Sequence, residues 1–341
     1  MAADIRVGIV GAGRIGTLHA QLLASRVPGA HVVAVADVQS DAAARVAESV
    51  GARTTDVAEL VDSPDVDAVA VCSSTDTHVA VVEQAIKAGK AIFCEKPLSL
   101  DLEAVDRIIA LVNAAGTPFM MGFNRRFDPG HRSVREVVVS GAVGDPHVVR
   151  VTSRDPEPPP IEYVRVSGGL WVDMMIHDFD MATFLVDSPV REVYAVGAVR
   201  VDPAIGEAGD VDTAVVVLTH DDGTITTIDN SRRAAYGYDQ RIEVLGSLGM
   251  ASSGNRTLHE GSVHSVSGVV SQPLQRFFLD RYLESYVLEW QAFVDYLRNG
   301  GPSPVPVESA RTSVILAEAA AASARSGLPV RIGAGVVESD Q

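Results

Sequence analysis

The stretch Ile5-Arg-Val-Gly-Ile-Val-Gly-Ala-Gly-Arg-Ile-Gly-Thr-Leu-His-Ala20 decides the fold of this chain. Ile5 to Val10 is rich in β-branched residues and reads as a strand. Thr17 to Leu23 has the spacing of a helix. Between them lies a glycine turn in which each glycine has a different task. Gly11 permits the tight bend, Gly13 lets the backbone approach a pyrophosphate, and Gly16 brings the helix close to the strand. The N–H groups at the helix start then face an anion. Such a turn is common by itself; its place between a strand and a helix makes it a dinucleotide signal. Arg14 and Ile15 fill the turn and join the three glycines as candidate cofactor contacts.

A second strand, His31 to Ala36, ends in Asp37. A carboxylate about 20 residues past such a turn is placed to hydrogen-bond an adenosine ribose 2′-OH. Val38 and Gln39 follow, with no arginine or lysine to welcome a 2′-phosphate, so NAD is expected rather than NADP. Arg14 is the one residue of the turn that would soften this preference.

The pattern then repeats. Val66 to Cys72 reads as a strand buried on both faces, and Ala91 to Pro97 and Pro118 to Phe123 as further strands; between them lie a helix terminated by Gly89 and one with Val105, Ile108, Ile109 and Val112 on one face. Alternation of this kind implies right-handed βαβ units and a doubly wound parallel sheet, a Rossmann-type α/β domain over 1–122. Ligands bind such sheets at the carboxyl ends of the strands. The loops to inspect are therefore Gly11–Gly16, Asp37, Ser73–His78, Glu95–Pro97 and Asn124–Asp128, which puts Lys96 on the cofactor's rim.

At 341 residues, two domains are the default. Beyond Gly144 the pattern turns β-rich: Val148–Arg154, Arg191–Val201, Thr213–Thr219, Thr224–Ile228 and Gln240–Leu245 read as strands. Asp221-Asp-Gly223 supplies a hairpin turn. An α+β domain with a large, mostly antiparallel open sheet is expected over 123–341, with 338–341 frayed. Gly168 to Leu185 is expected as one helix. On it Asp173 and His177, four apart, share a face. A helix-face ion pair is the ordinary reading of such a pair. In an apolar setting, however, the pair suits a general base oriented by a carboxylate. A metal pair would need further ligands, and none stand out.

The formal charge of −16 argues against nucleic-acid and membrane-surface partners, which call for basic patches. Cys72 and Cys94 sit in apolar runs and read as buried, reduced thiols. No leader pattern and no long apolar run is recognised, so a cytoplasmic location is expected.

Taken together, the glycine turn, Glu95-Lys96-Pro97 and Asp173-x-x-x-His177 resemble the Gfo/Idh/MocA oxidoreductase family over nearly the whole chain. Gly122–Asp128, Ser153–Pro160, Ser167–Asp180 and Phe278–Tyr286 are similar to its bacterial inositol 2-dehydrogenases. The resemblance implies that Lys96, Asp173 and His177 are catalytic, with a cis Lys96-Pro97 bond. It implies that Ser73, Ser74, Thr75, His78 and Glu95 line the nicotinamide ribose. Arg125 (or Arg126), Asp155 and Tyr236 fall where this subfamily contacts its polyol, beside Lys96, Asp173 and His177. A homotetramer joined through the open sheet face is a further implication. The expected activity is NAD-dependent oxidation of myo-inositol to its 2-keto form, at a cleft between the domains. The alternatives are another inositol epimer or an aldose as substrate, and a non-catalytic NAD-responsive regulator. An intact base speaks against the regulator.

Overall fold

A computed structural model gives the fold, and the structure describes residues 3–333 and 336–338. The chain forms two compact units. One is Met1–Asn124 with Ser285–Arg311; the other is Arg125–Glu284 with Thr312–Gln341.

In the first unit β1 (Ile5–Val10), α1 (Arg14–Ser25), β2 (Ala30–Ala36), α2 (Ser40–Val50), β3 (Arg53–Thr54), α3 (Val57–Asp62), β4 (Ala68–Val71), α4 (Thr75–Lys87), β5 (Ala91–Glu95), α5 (Leu102–Ala115) and β6 (Phe119–Gly122) alternate. Among the described residues the strands form a six-stranded sheet in the order β3-β2-β1-β4-β5-β6, every pair parallel. The order reverses between β1 and β4, where adjacent connections leave to opposite faces and open a crevice at the strand ends. Asp56 and Asp101 start α3 and α5 by accepting from Glu59 N at 2.7 Å and Glu103 N at 3.0 Å. The parallel sheet expected from the sequence is the one formed.

The division between units differs from the single crossing at 122/123 that the sequence suggests. The helix Phe278–Asn299 from Ser285 onward, and the segment after it to Arg311, belong with the first unit. The reason is apolar burial. Trp290 is fully buried and stacks on Phe93 of β5 at 4.5 Å between centroids, and Phe293 meets the same ring edge-on at 5.9 Å. Met121 N then donates to Val305 O at 3.0 Å, closing the edge at β6. Each such aromatic burial contributes about 2–3 kcal/mol, enough to settle where the segment packs.

The second unit begins in a 3-10 turn at Asn124–Phe127, whose first residue is still assigned to the other unit. It contains α6 (Pro129–Val139), β7 (Pro146–Arg154), α7 (Ile161–Val164), α8 (Gly169–Asp173), α9 (Ile176–Leu185), β8 (Val190–Ala198), α10 (Pro203–Glu207), β9 (Thr213–His220), β10 (Ile225–Ser231), β11 (Asp239–Gly246), β12 (Met250–Ser253), β13 (Ser262–Ser265), β14 (Gly268–Ser271), the first turns of α11 (Phe278–Asn299), α12 (Glu308–Ser326) from Thr312 onward, β15 (Val330–Gly333) and β16 (Val336–Glu338). Among the described residues an eight-stranded sheet runs β12-β11-β7-β10-β9-β8-β15-β16. Among the described residues its strand pairs are antiparallel except β7 with β10. Val151, Val193, Val216, Leu218, Ile228 and Val244 alternate onto one face and pack with Phe179 and Leu185 of α9 and Leu316 of α12. The opposite face exposes Tyr194, Val196, Val215 and Ile225. The hairpin turn at Asp221-Asp-Gly223 forms, with Gly223 at φ 90. The segment 255–272, unassigned by local pattern, holds the small β13–β14 hairpin. Of the stretch expected to fray, Glu338 ends β16 and 339–341 lie outside the described residues.

The single helix expected over Gly168–Leu185 is corrected to two. Met174 N and Met175 N both take Leu170 O, at 3.2 and 3.0 Å, so one carbonyl serves two donors and the helical register slips. Both methionines are buried, and the break lets each pack. Among the described residues no helix is long and apolar enough to cross a membrane.

Candidate active site

The glycine turn of the first unit separates the three glycines by cause. Gly11 sits at φ 101, and a Cβ there would meet the Cys72–Ser73 backbone at 2.5 Å. At Gly16 a Cβ would lie 1.9 Å from Gly11 O. The structure starts α1 at Arg14, so Gly16 is inside its first turn rather than ahead of it, and Gly13 is the N-cap. A Cβ on Gly13 would meet nothing within 4 Å. Its glycine is explained by nothing in the protein, which fits a cradle that a pyrophosphate approaches closely. Arg14 is exposed and Ile15 half-buried beside it. Asp37 closes the cradle from β2: Oδ2 accepts from Ala12 N at 2.6 Å and Oδ1 from Gln39 N at 2.7 Å. The same carboxylate therefore holds the turn and sets the negative charge expected beside a ribose. These residues fit a dinucleotide.

The next loops of that rim are equally specific. Ser73 Oγ and Thr77 Oγ1 share a hydrogen bond of 2.6 Å, Ser74 caps α4 and Thr75 begins it. His78, expected among the cofactor contacts, is buried, with Nδ1 2.9 Å from Pro97 O and Nε2 3.0 Å from Ser73 O. Both ring nitrogens thus face backbone carbonyls, and the imidazole ties the Ser73 loop to the turn carrying Lys96. Burial holds its pKa below the ordinary histidine value, against the pull of the two carbonyls. The Lys96-Pro97 bond is cis, as expected. Glu95 is also turned inward: Oε1 lies 2.8 Å from His19 Nε2, and Oε2 accepts from Lys96 N at 3.2 Å.

In the second unit Asp173 closes α8 and His177 lies in the first turn of α9. Asp173 Oδ1 accepts from Tyr163 Oη at 2.8 Å and Oδ2 from Arg232 Nη1 at 3.1 Å. Arg232 is buried, and its Nη2 stands 3.7 Å from Asp210. Asp155 and Arg232 meet because β7 and β10 run parallel with Arg154 opposite Ser231, so the next residue of each leaves the sheet at the same end. Asp155 is half-buried, anchored by its N–H to Ser231 O at 2.9 Å. Desolvation, with Asp173 and Asp178 near, pushes its carboxyl up to about 7 even against Arg232 and Arg125.

The two arginines singled out from the sequence serve buried ion pairs. Arg125 Nη1 donates to Asp178 at 2.6 Å and Ser153 at 2.8 Å, and Asn230 completes the carboxylate at 2.9 Å. Arg126 grips Asp180 with two bonds of 2.9 and 2.6 Å. Burial raises the carboxyls of Asp178 and Asp180, and the arginines oppose it. Tyr236 is exposed, with its hydroxyl donating to Asp239 at 2.5 Å and accepting from Arg154 at 2.9 Å. Tyr163, Arg232 and His19 were not singled out by sequence reasoning. Only His19 carried a local signal, a histidine on the apolar face of the dinucleotide helix.

Known proteins resemble the whole arrangement. Residues 5–123 match the family model for the oxidoreductase family's NAD-binding Rossmann fold, and 131–252 match the GFO/IDH/MocA C-terminal domain. A myo-inositol 2-dehydrogenase of Thermotoga maritima is 46% identical over 93% of this chain and 95% of its own length. An inositol 2-dehydrogenase of Rhizobium meliloti is 42% identical over 93% and 96%. A crystal structure of myo-inositol dehydrogenase from Lactobacillus casei in complex with NAD(H) and myo-inositol superposes with a TM-score of 0.87, at 28% identity and 97% coverage of both chains. With the parallel sheet, the open cradle at Gly13 and the Asp37 contact, these matches place the chain in the GFO/IDH/MocA oxidoreductase family as an NAD-dependent enzyme.

Proposed function

We propose that this protein oxidises myo-inositol to its 2-keto form, with Lys96, Asp173 and His177 as the catalytic set. The observation that carries the substrate is that relatives named for inositol oxidation match almost end to end, through both units. NAD, when bound, supplies the hydride acceptor. The protein must hold the reacting carbon and take the hydroxyl proton. His177 is the base, since an imidazole that is neutral near pH 7 accepts a proton at little cost. Asp173, fixed by Tyr163 and Arg232, orients that imidazole and stabilises the imidazolium. Lys96 Nζ hydrogen-bonds the reacting oxygen and stabilises developing alkoxide charge. Asp155 and Tyr236 take neighbouring hydroxyls, while Arg125 shapes that region through Asp178. At the cofactor, Gly11, Gly13, Arg14, Ile15 and Gly16 hold the pyrophosphate, and Asp37 takes the ribose. Ser73, Ser74 and Thr75 border the nicotinamide ribose, where His78 and Glu95 act from behind.

A panel of inositols and aldoses, followed at the NADH absorbance band, tests this reading. The highest kcat/KM is expected for myo-inositol with NAD; a higher value for scyllo-inositol or glucose reassigns the substrate. No turnover of any inositol or aldose overturns the enzyme reading. NAD is expected to be preferred over NADP, and Asp37→Ala to weaken NAD binding by about 10-fold or more, the worth of a charged hydrogen bond. The exposed apolar side chains on the open sheet face, Tyr194, Val196, Val215 and Ile225, support a homotetramer assembled there. Val196→Glu with Val215→Glu should then lower the mass seen in sedimentation. Buried free thiols at Cys72 and Cys94 support a reducing, cytoplasmic setting.

A further inference from the structure

Three buried side chains lead from α11 to the turn carrying Lys96. Trp290 Nε1 donates to His19 Nδ1 at 2.8 Å. An indole N–H can only donate, so Nδ1 is the acceptor and the ring proton sits on Nε2. That proton points at Glu95 Oε1, 2.8 Å away, and Glu95 Oε2 takes Lys96 N at 3.2 Å. Trp290 and His19 are fully buried and Glu95 nearly so. Aromatic edges from Phe93 and Tyr286 pin the imidazole, at 5.2 and 5.6 Å. His19 stands one turn past Gly16 on α1, so the helix that starts at the pyrophosphate cradle also anchors the Lys96 turn. His78 grips the turn's other side through Pro97 O.

We propose that Trp290, His19 and Glu95 are positioning residues for Lys96, a directional chain of hydrogen bonds that sets the place of the Glu95-Lys96-Pro97 turn. The proposal rests on the reading of Lys96 as catalytic. Its logic is that the indole dictates the tautomer, the tautomer dictates which way Glu95 faces, and Glu95 holds the lysine's own N–H. Were the three simply core, their loss would lower stability but leave turnover by the folded protein intact.

Full-length His19→Leu, His19→Gln, Trp290→Phe and Lys96→Met test it, each by kcat and KM on myo-inositol, NAD binding by calorimetry, and melting temperature. A displacement of about 1 Å in a catalytic group costs up to about 100-fold, so His19→Leu should lose about 10- to 100-fold in kcat with NAD affinity within about 3-fold of wild type. His19→Gln offers an acceptor to Trp290 and a donor to Glu95, and should recover most of that loss. Trp290→Phe keeps the ring stack but no longer dictates the tautomer, and should lose about 3- to 10-fold in kcat, in line with one hydrogen bond. Wild-type kcat in a folded His19→Leu protein overturns the proposal, as does His19→Gln being as impaired as His19→Leu. Should His19→Leu not fold, full kcat in Trp290→Phe overturns it. Lys96→Met separates the two readings. Activity retained there refutes the role of Lys96, whereas loss there beside an unimpaired His19→Leu refutes only the positioning chain.

Discussion

The turn carrying Lys96 and the surroundings of Asp173 are held in place by different forces. Around Glu95-Lys96-Pro97 the contacts are directional: an indole donor, an imidazole of defined tautomer, a second imidazole between two carbonyls. Around Asp173 the contacts are charges in balance, with Asp155, Asp178 and Asp210 set against Arg125 and Arg232. Directional hydrogen bonds fix geometry and respond weakly to pH. Charges sharing a poorly solvated region fix one another, and each removal is felt by the rest. The first arrangement suits a group that must be in one place; the second suits groups that must exchange or steady protons.

The sharpest break is expected at Arg125. Arg125→Met leaves the Asp178 carboxylate buried without its cation, and chemical denaturation should show a loss of about 3–5 kcal/mol. A loss under about 1 kcal/mol would mean the second unit is not governed by charge balance. Next is Lys96→Ala, for which kcat should fall about 100- to 1,000-fold, the cost of losing a donor to a developing oxyanion, while NAD titrates normally. Near-normal turnover would remove the lysine from the chemistry.

Asp155 tests the contrast through pH. Its carboxyl is pushed up to about 7 in the folded chain from an ordinary 3.8, so between those values the native state keeps a proton that the unfolded state has released. Wild type should therefore lose stability relative to Asp155→Asn as pH rises from about 4 to about 7, then run parallel to it. Melting curves of both proteins across that range provide the check. A constant difference would show that Asp155 titrates as a solvated acid. Tyr163→Phe should have the smallest effect, a fall in kcat of about 10-fold for one hydrogen bond to the Asp173 carboxylate, with Tm nearly unchanged.

The cofactor half was readable in sequence because its determinants are local. Gly11, Gly13, Gly16 and Asp37 lie within one βαβ unit; backbone geometry demands Gly11 and Gly16, the end of a strand places Asp37, and Gly13 leaves the cradle open. The alternation that predicts the parallel sheet is local too, since strands buried on both faces read as unbroken apolar runs. The Asp173/His177 spacing assumed one unbroken helix, and the backbone there is two. Two methionines that both demand burial, and a Leu170 carbonyl shared between two N–H groups, split the helix at a place no helix breaker marks.

By itself, then, the sequence determined the glycine turn, Asp37 and the βα alternation of the first unit. The tertiary structure alone decided which sheet Trp290 covers, that Arg125 faces Asp178, and that Arg232 stands beside Asp155. The physical reason is that periodicity states which face of a segment is buried, never against what. The partner is chosen by strand register and by competition for burial between segments far apart in the chain. The parallel pairing of β7 with β10 is such a choice. It carries Asp155 and Arg232 to one end of the sheet, and no residue near either of them announces it.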